Sequence, residues 1–435
     1  MALKKPIVVD DESPGILQSL DRYWFDHGSP TTLGLFRILI GSLSFLNCFL
    51  LWLHWESWFS EKGYVPAWLG QLWLDPNYPL FSEPSLHKIT IPRIDLLNGV
   101  TDARIAIPFF FLITLFSLTT ALGLWTRFST IALAIGVVSL QHRNAAILHG
   151  GDTVLRVSVL YLALAPCGLA CSVDRLIGLW KGTIAPVPIK VSLWAQRLVC
   201  YNTALVYFTT VWLKYFGTFW RQGIATYFPS RLAEFYRFPV PRFVNEVPFV
   251  YLTTYGTLII EFALATLVFF RPLRKYVLLA GVLMHGYIEY SMNIPLFSFL
   301  MVSCYLCFYD GEEVSAWAER LGHRMRRWRT VVRFPHGSQL RPSSAAYLDA
   351  VDPLKLVTYA SSADTSWHGE RADGSEMPYA VASWSRSLGA YLIAWIPGVW
   401  HRILHKSLEA APVQEASSVV EEEVRPPRKG KKARR

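Results

Sequence analysis

Charge is scarce in this chain of 435 residues: Asp, Glu, Lys and Arg make up 17% of it, where a soluble domain carries about 25%. The shortage falls on the first three-quarters. With 52% hydrophobic residues, it argues against an ordinary soluble globule and for a membrane bundle followed by a soluble appendage. A secretory leader is also missing from the opening MALKKPIVVDDESPG, which is acidic and has no apolar run. The first span is therefore expected to act as its own insertion signal. No Cys, His, Asp or Glu cluster has zinc-ligand spacing, so no metal is expected. Cysteine is sparse, with Cys48, Cys167, Cys171, Cys200, Cys304 and Cys307 all within or beside apolar segments. Cys304 and Cys307 have redox-motif spacing, but buried apolar thiols are inert, and these are expected to be structural.

What is present is a series of apolar stretches at 33–53, 104–125, 131–148, 154–170, 199–213, 250–270, 276–290 and 295–308. Several are shorter than the roughly 20 residues that cross a bilayer unaided, and tilt or local thinning accommodates such segments. Seventeen Trp and twenty Tyr suit a chain with two interfaces to anchor. The net charge of +10 is not read as a nucleic-acid footprint, because the basic residues concentrate in short inter-span turns, after Arg320 and in the tail. Beside a membrane they are expected to lie on anionic lipid. Arg127, Arg175, Lys181, Lys190, Arg197, Arg271, Arg274 and Lys275 all fall on one side of an eight-span arrangement. The positive-inside rule then puts both termini in the cytoplasm of a multi-pass integral membrane protein. Arg221, Arg231, Arg237 and Arg242, in the outer segment 217–248, dissent and are expected to bind something.

The expected organisation is a cytoplasmic segment at 1–32, a transmembrane domain at 33–310 and a basic juxtamembrane linker at 311–328. A small α/β domain at 329–407 and a disordered charged tail at 408–435 follow. In the α/β domain, strands are expected at 329–332 and 356–359 and helices at 343–349 and 380–392. The fold class is thus an all-α polytopic membrane bundle of about eight spans with a small C-terminal cytoplasmic α/β domain. The outer segments 54–103 and 217–248, rich in Trp, Tyr, Phe and Pro, are expected to cap an outward-facing pocket.

Polar groups that persist in such segments point to function, because hydrocarbon penalises them when unpaired. One group gathers His142, Arg143 and Asn144 with His149 and Asp152, between the third and fourth spans. Gly150 and Gly151 permit a tight turn there, and Asp152 is placed to cap the fourth span. A second group is Tyr207, Lys214 and Trp220. A desolvated lysine amine is a useful base, although a lysine at a span end also snorkels to headgroups. The third is His285 with Glu289, one helical turn apart, where a carboxylate can fix an imidazole tautomer. Arg37 and Glu261 complete the set, and an Arg37–Glu pair across the bundle costs less than either charge alone.

Leu33-Gly34-Leu35-Phe36-Arg37-Ile38-Leu39-Ile40-Gly41 resembles the first-span motif of the HTTM family, the membrane domain shared with vitamin K-dependent γ-carboxylase. Similar matches follow in order at Ala121 to Arg127, Arg143-Asn144 with His149 to Asp152, and Cys171 to Asp174. Lys214 with Trp220 and Gly223, and His285 with Asn293, complete a resemblance covering about 21–310. It implies an enzyme with a reduced, vitamin K-like quinone at an outward-facing pocket, and makes Lys214 the base. Arg37, Arg143, Asn144, His149, Asp152, His285 and Glu289 are the accompanying pocket candidates. The chain departs from the family at Leu213 and Tyr215, where the carboxylase has a second adjacent lysine, and at Ala145, where it has a histidine. These departures favour the alternative, a non-catalytic scaffold or a lipid- or quinone-binding carrier.

The stretch from Val331 to Arg341 resembles the start of the DCC-type oxidoreductases, a thioredoxin-like family often fused to HTTM domains. Gly337 and Leu340 occupy that family's cysteine positions. Without thiols there is no exchange chemistry, so the resemblance implies a remnant that binds a protein partner at the membrane's cytoplasmic side. Membrane lipids are the other expected partner, and nucleic acid is not one.

Overall fold

Apolar runs near lipid have to satisfy their backbone polar groups internally, and helices are how this chain does so. The computed structural model describes residues 15–66, 69, 96–97, 100–385 and 397–410. An amphipathic helix α1 (Ile16–Phe25) leads into α2 (Thr31–Leu53), α3 (Ala103–Leu122), α4 (Thr126–Arg143) and α5 (Gly150–Leu164). A short α6 (Val173–Lys181) precedes α7 (Trp194–Phe216), α8 (Val247–Ala265), α9 (Arg271–Ser291) and α10 (Phe297–Tyr305). The expected apolar stretches coincide with α2–α5 and α7–α10. Three of these helices, α2, α3 and α8, are long and apolar enough to cross a membrane.

Helices adjacent in sequence pack side by side, and α10 wedges between α2, α5, α7 and α9. The shared core holds Phe36, Ile40, Phe110, Leu133, Leu155, Leu162 and Leu300. The outer faces are apolar as well: Phe111 and Leu115, Phe208 and Trp212, Ile259 and Phe262, and Leu279 and Leu283 are all exposed. This exposed apolar surface accompanies the three membrane-length helices in pointing to membrane association.

Arg37 is fully buried, and among the described residues it pairs with no carboxylate. Its guanidinium instead donates to the carbonyls of Thr120 (2.6 Å), Ala121 (3.1 Å), Cys167 (3.2 Å) and Cys171 (2.6 Å). The planar fork suits this role, since it reaches the last-turn carbonyls of α3 and the carbonyls of the α5–α6 turn together. The expected Arg37–Glu pair is therefore corrected: backbone carbonyls solvate the guanidinium, which keeps its charge. Gly123 ends α3 at φ +69°, and a Cβ there would strike Arg37 and Ser172. Asp174 completes the knot by accepting from the backbone N–H groups of Trp125 (2.9 Å) and Thr126 (2.7 Å).

Beyond a two-stranded ribbon of β1 (His27–Gly28) and β2 (Val191–Ser192), the strands belong to the C-terminal region. The segment expected as a linker is largely helical: α11 (Gly311–Arg324) starts with a capping box between Asp310 and Glu313. Then come β3 (Thr330–Phe334), β4 (Ser338–Leu340), α12 (Pro342–Val351), β5 (Val357–Ser361), β6 (His368–Arg371), β7 (Glu376–Met377) and α13 (Tyr379–Trp384). The sheet runs β5-β3-β6-β7, with β3 parallel to β5 and antiparallel to β6. The helix expected over 380–392 is seen as α13, and its part from 386 on lies outside the described residues. After α14 (Pro397–Lys406), β8 (Leu408–Ala410) pairs antiparallel with β4. The tail expected to be disordered from 408 therefore begins with a strand that satisfies an otherwise open edge. Leu176 and Leu179 of α6 pack with Tyr347, Leu348, Val351, Trp400 and Leu404, which seats this region on the bundle.

Candidate functional site

Lys214 lies in the last turn of α7, where a cation opposes the helix dipole favourably. In a helix the Cα–Cβ bond leans toward the N-terminus, so the stem of Lys214 runs back along α7 rather than outward. Its amine meets the carboxylate of Glu261 on α8. The side chains are 24% and 7% exposed, so this is a largely desolvated ion pair and not a lysine reaching for headgroups. Thr210 Oγ1 lies 3.5 Å from the other carboxylate oxygen. The Trp220 ring centroid is 5.0 Å from the amine, within cation–π range.

Tyr207, Thr210 and Lys214 share one face of α7 by their spacing. Tyr207 continues the polar line inward: its hydroxyl is 2.7 Å from Nε2 of His285 on α9 and 2.6 Å from the hydroxyl of Tyr305 on α10. All three side chains are buried, with His285 2% exposed. His285 Nδ1 has no hydrogen-bond partner. Four helices thus contribute one ion pair and one aromatic hydrogen-bonded array to adjoining positions.

The expected His285–Glu289 pair is not formed. Glu289 is instead paired with Arg237 from the segment between α7 and α8. Arg237 also donates to the Glu289 carbonyl at 3.1 Å. Tyr290 Oη donates to the Pro239 carbonyl at 2.8 Å, and Asn293 N–H to the Phe235 carbonyl at 2.7 Å. These bonds strap that segment onto the α9–α10 turn, and they account for one of the dissenting arginines.

The group between α4 and α5 is a folding device rather than part of this array. Arg143 donates to the Phe59 carbonyl at 3.0 Å and to Glu61 at 3.2 Å, and Asn144 Nδ2 to the Trp58 carbonyl at 2.7 Å. They tie the segment after α2 to the end of α4. His149, not Asp152, is the N-cap of α5: its Nδ1 accepts from Gly151 N–H at 2.9 Å. Asp152 sits one turn in and accepts from the His149 N–H at 2.9 Å, closing a capping box. The helix begins two residues earlier than Asp152, and Gly151 makes this possible, since a Cβ there would strike the His149 imidazole. The expectation that Asp152 caps the span is corrected accordingly.

Tyr305 escaped the sequence reading because it is flanked by Cys304 and Cys307, whose spacing drew attention to sulfur. All six cysteines are free. Among the described residues no group of three or more His, Cys, Asp or Glu could hold a metal ion. A groove of about 330 Å³ lined by Phe208, Thr209, Trp212 and Leu213 lies on the face of α7 opposite Lys214 and is apolar. Most of the cap expected over 54–103 lies outside the described residues. The chain matches no family model, no curated protein and no solved structure.

Proposed function

We propose that this is a multi-pass membrane enzyme of the HTTM, γ-carboxylase-like kind, acting on a reduced quinone beside Lys214. The observation that carries this reading is the desolvated Lys214–Glu261 pair next to the Tyr207–His285–Tyr305 array. The positions that resemble the family also gather in space: Arg37, Gly123 and Asp174 in one knot, and Lys214 against Trp220 in the other. The apolar exterior of α3, α7, α8 and α9 supports a bundle of about eight spans. Arg22, Arg127, Arg175, Arg197 and Arg274, at the Arg37 end, support a cytoplasmic placement of that end and of both termini.

A bound quinol supplies a weakly acidic hydroxyl and two reducing equivalents. The protein's part is to take the proton. Lys214 and Glu261 act as a coupled unit holding one exchangeable proton: with the amine charged, the carboxylate is the acceptor, and with the carboxyl protonated, the amine is. Thr210 orients the carboxylate, and the surrounding apolar helices keep water from competing. The donor set fits a quinol, because it offers a buried proton acceptor and, in His285, an imidazole nitrogen with bonding capacity to spare.

The C-terminal region is proposed as a thioredoxin-like module stripped of its thiols. A parallel β3-α12-β5 unit followed by antiparallel β6-β7-α13 supports it, although β5 runs on to β6 without an intervening helix. In place of exchange chemistry it would offer a surface for a protein partner.

The test is oxidation of a quinol above its uncatalysed rate by the full chain in aerated lipid nanodiscs, where dissolved dioxygen takes the two electrons. Lys214→Ala is expected to abolish it while membrane insertion is unchanged, and turnover at the wild-type rate by that variant overturns the assignment. A non-catalytic carrier is the second reading, and the neutralisation of Lys214 by Glu261 favours it. In that case wild type and variant bind quinone and neither consumes it.

A further inference from the structure

Counting hydrogens in the buried array leads further. Tyr207, Tyr305 and a neutral His285 bring three donor hydrogens, one each. The structure gives them two contacts, both made by the Tyr207 hydroxyl. One donor is therefore left over in whichever direction the bonds run. If His285 Nε2–H donates to Tyr207, the unused groups are a phenolic O–H and the Nδ1 lone pair. If Tyr305 donates to Tyr207 and Tyr207 donates to Nε2, both hydroxyl hydrogens are used and only Nδ1–H remains. Leaving a buried polar group without a partner is costly, so the second direction, with one such group rather than two, is favoured.

This fixes the tautomer and leaves a desolvated N–H at the centre of the bundle with nothing to bond. Two more buried polar atoms lack partners at the same α9–α10 junction: Glu289 Oε2, one helical turn along from His285, and Ser298 Oγ. Ser298 adjoins Phe297, whose ring centroid is 5.5 Å from that of His285. Three buried polar atoms with bonding capacity at one junction offer a ligand polar contacts there. The ligand must reach it through an apolar exterior and must present an acceptor oxygen on a body that packs against aromatic rings.

We propose that His285 Nδ1–H docks a ring oxygen of a membrane-soluble quinone, with Tyr207, which donates to Nε2, as the positioning residue that holds the imidazole in the donating tautomer. This rests on the quinol reading above but assigns a different task to a different residue. Lys214 and Glu261 take a proton; His285 holds the ring so that its hydroxyl faces them. The docking bond needs no chemistry, so it survives loss of Lys214.

The experiment is titration of the full chain in nanodiscs with a short-chain benzoquinone, followed by tryptophan fluorescence quenching. His285→Phe is expected to weaken binding at least tenfold. Tyr305→Phe, which removes only a donor already used within the array, stays within twofold. Wild-type affinity in His285→Phe overturns the proposal, and so does a tenfold loss in Tyr305→Phe, which would make Tyr305 the free donor. Because a phenylalanine at a polar site can disturb folding, the wild-type protein supplies a second readout. The carbonyl stretch of ¹³C-labelled bound quinone is expected to fall below its value in plain lipid vesicles, and an unshifted band overturns the dock. Lys214→Ala that binds quinone but does not turn it over leaves this inference standing; Lys214→Ala with full turnover removes only the proton-acceptor reading.

Discussion

The amine of Lys214 is held by the carboxylate of Glu261, 47 residues further along the chain and on the neighbouring helix. Each removes from the other the cost of a lone charge in an apolar bundle. Lys214→Met leaves a nearly buried carboxylate unpaired, a change that costs about 3–5 kcal/mol. The double variant Lys214→Met/Glu261→Met is expected to recover most of that loss. Thermal unfolding of the four members of this cycle in detergent measures it. Equal and additive losses would show that the two side chains do not interact.

Arg37 donates to four backbone carbonyls, two in the last turn of α3 and two in the turn between α5 and α6. Arg37→Met strands them, at about 1–3 kcal/mol for each one that water cannot reach. The expected outcome is a protein that inserts poorly and melts several degrees lower. Arg37→Lys restores only part of the loss, since an ammonium cannot span the positions a planar fork spans. Full stability in Arg37→Met would mean the knot is not a structural centre.

Arg143 and Asn144 grip the carbonyls of Trp58 and Phe59. Replacing both with Ala is expected to leave α4 and α5 intact and to release the segment after α2. Limited proteolysis of the nanodisc-embedded protein should then cut within 55–65 at least several times faster than in wild type. Unchanged cutting would contradict the tie.

On the C-terminal side, His405 Nε2 is 3.0 Å from the Tyr379 hydroxyl and its ring stacks on that of His401, with centroids 4.5 Å apart. Partial burial, and secondarily the neighbouring His401, hold its pKa below the usual 6.5. A histidine with a depressed folded pKa resists protonation in the folded state, so stability is intact above pH 6.5 and declines as pH falls through it. Protection factors of the backbone amides in 397–410, taken relative to the intrinsic exchange rate at each pH, are expected to fall between pH 7.5 and 5.5. His405→Phe should remove that dependence, and pH-independent protection in the wild type would contradict it.

The helical bundle was legible because hydropathy and helix length carry the same information. Lys214, His285, Arg37 and Glu261 were legible for a second reason: each is a polar residue where hydrocarbon tolerates few. Their partners were not. Periodicity relates neighbours on one helix, so it suggested His285 with Glu289, whereas the real contacts of both cross between segments, to Tyr207 and to Arg237. Arg37 was expected to seek a carboxylate because only side chains are visible in a sequence; the backbone carbonyls it found are invisible there. Asp152 reads as a cap because it follows the Gly150-Gly151 turn at the start of an apolar span; that Gly151 instead makes room for the His149 imidazole to cap the helix is not visible in the sequence. Strand β8 lay in a stretch whose composition cannot build a core, but three residues pairing with an open edge need no core.

The most direct measurement is mass spectrometry of the lipids that co-purify with the wild-type protein, set against the bulk membrane from which it was extracted. A quinone or quinol enriched well above its bulk share, in roughly one-to-one proportion with the protein, is the expected result. A lipid profile indistinguishable from the bulk membrane would contradict a quinone site among Lys214, Glu261 and His285.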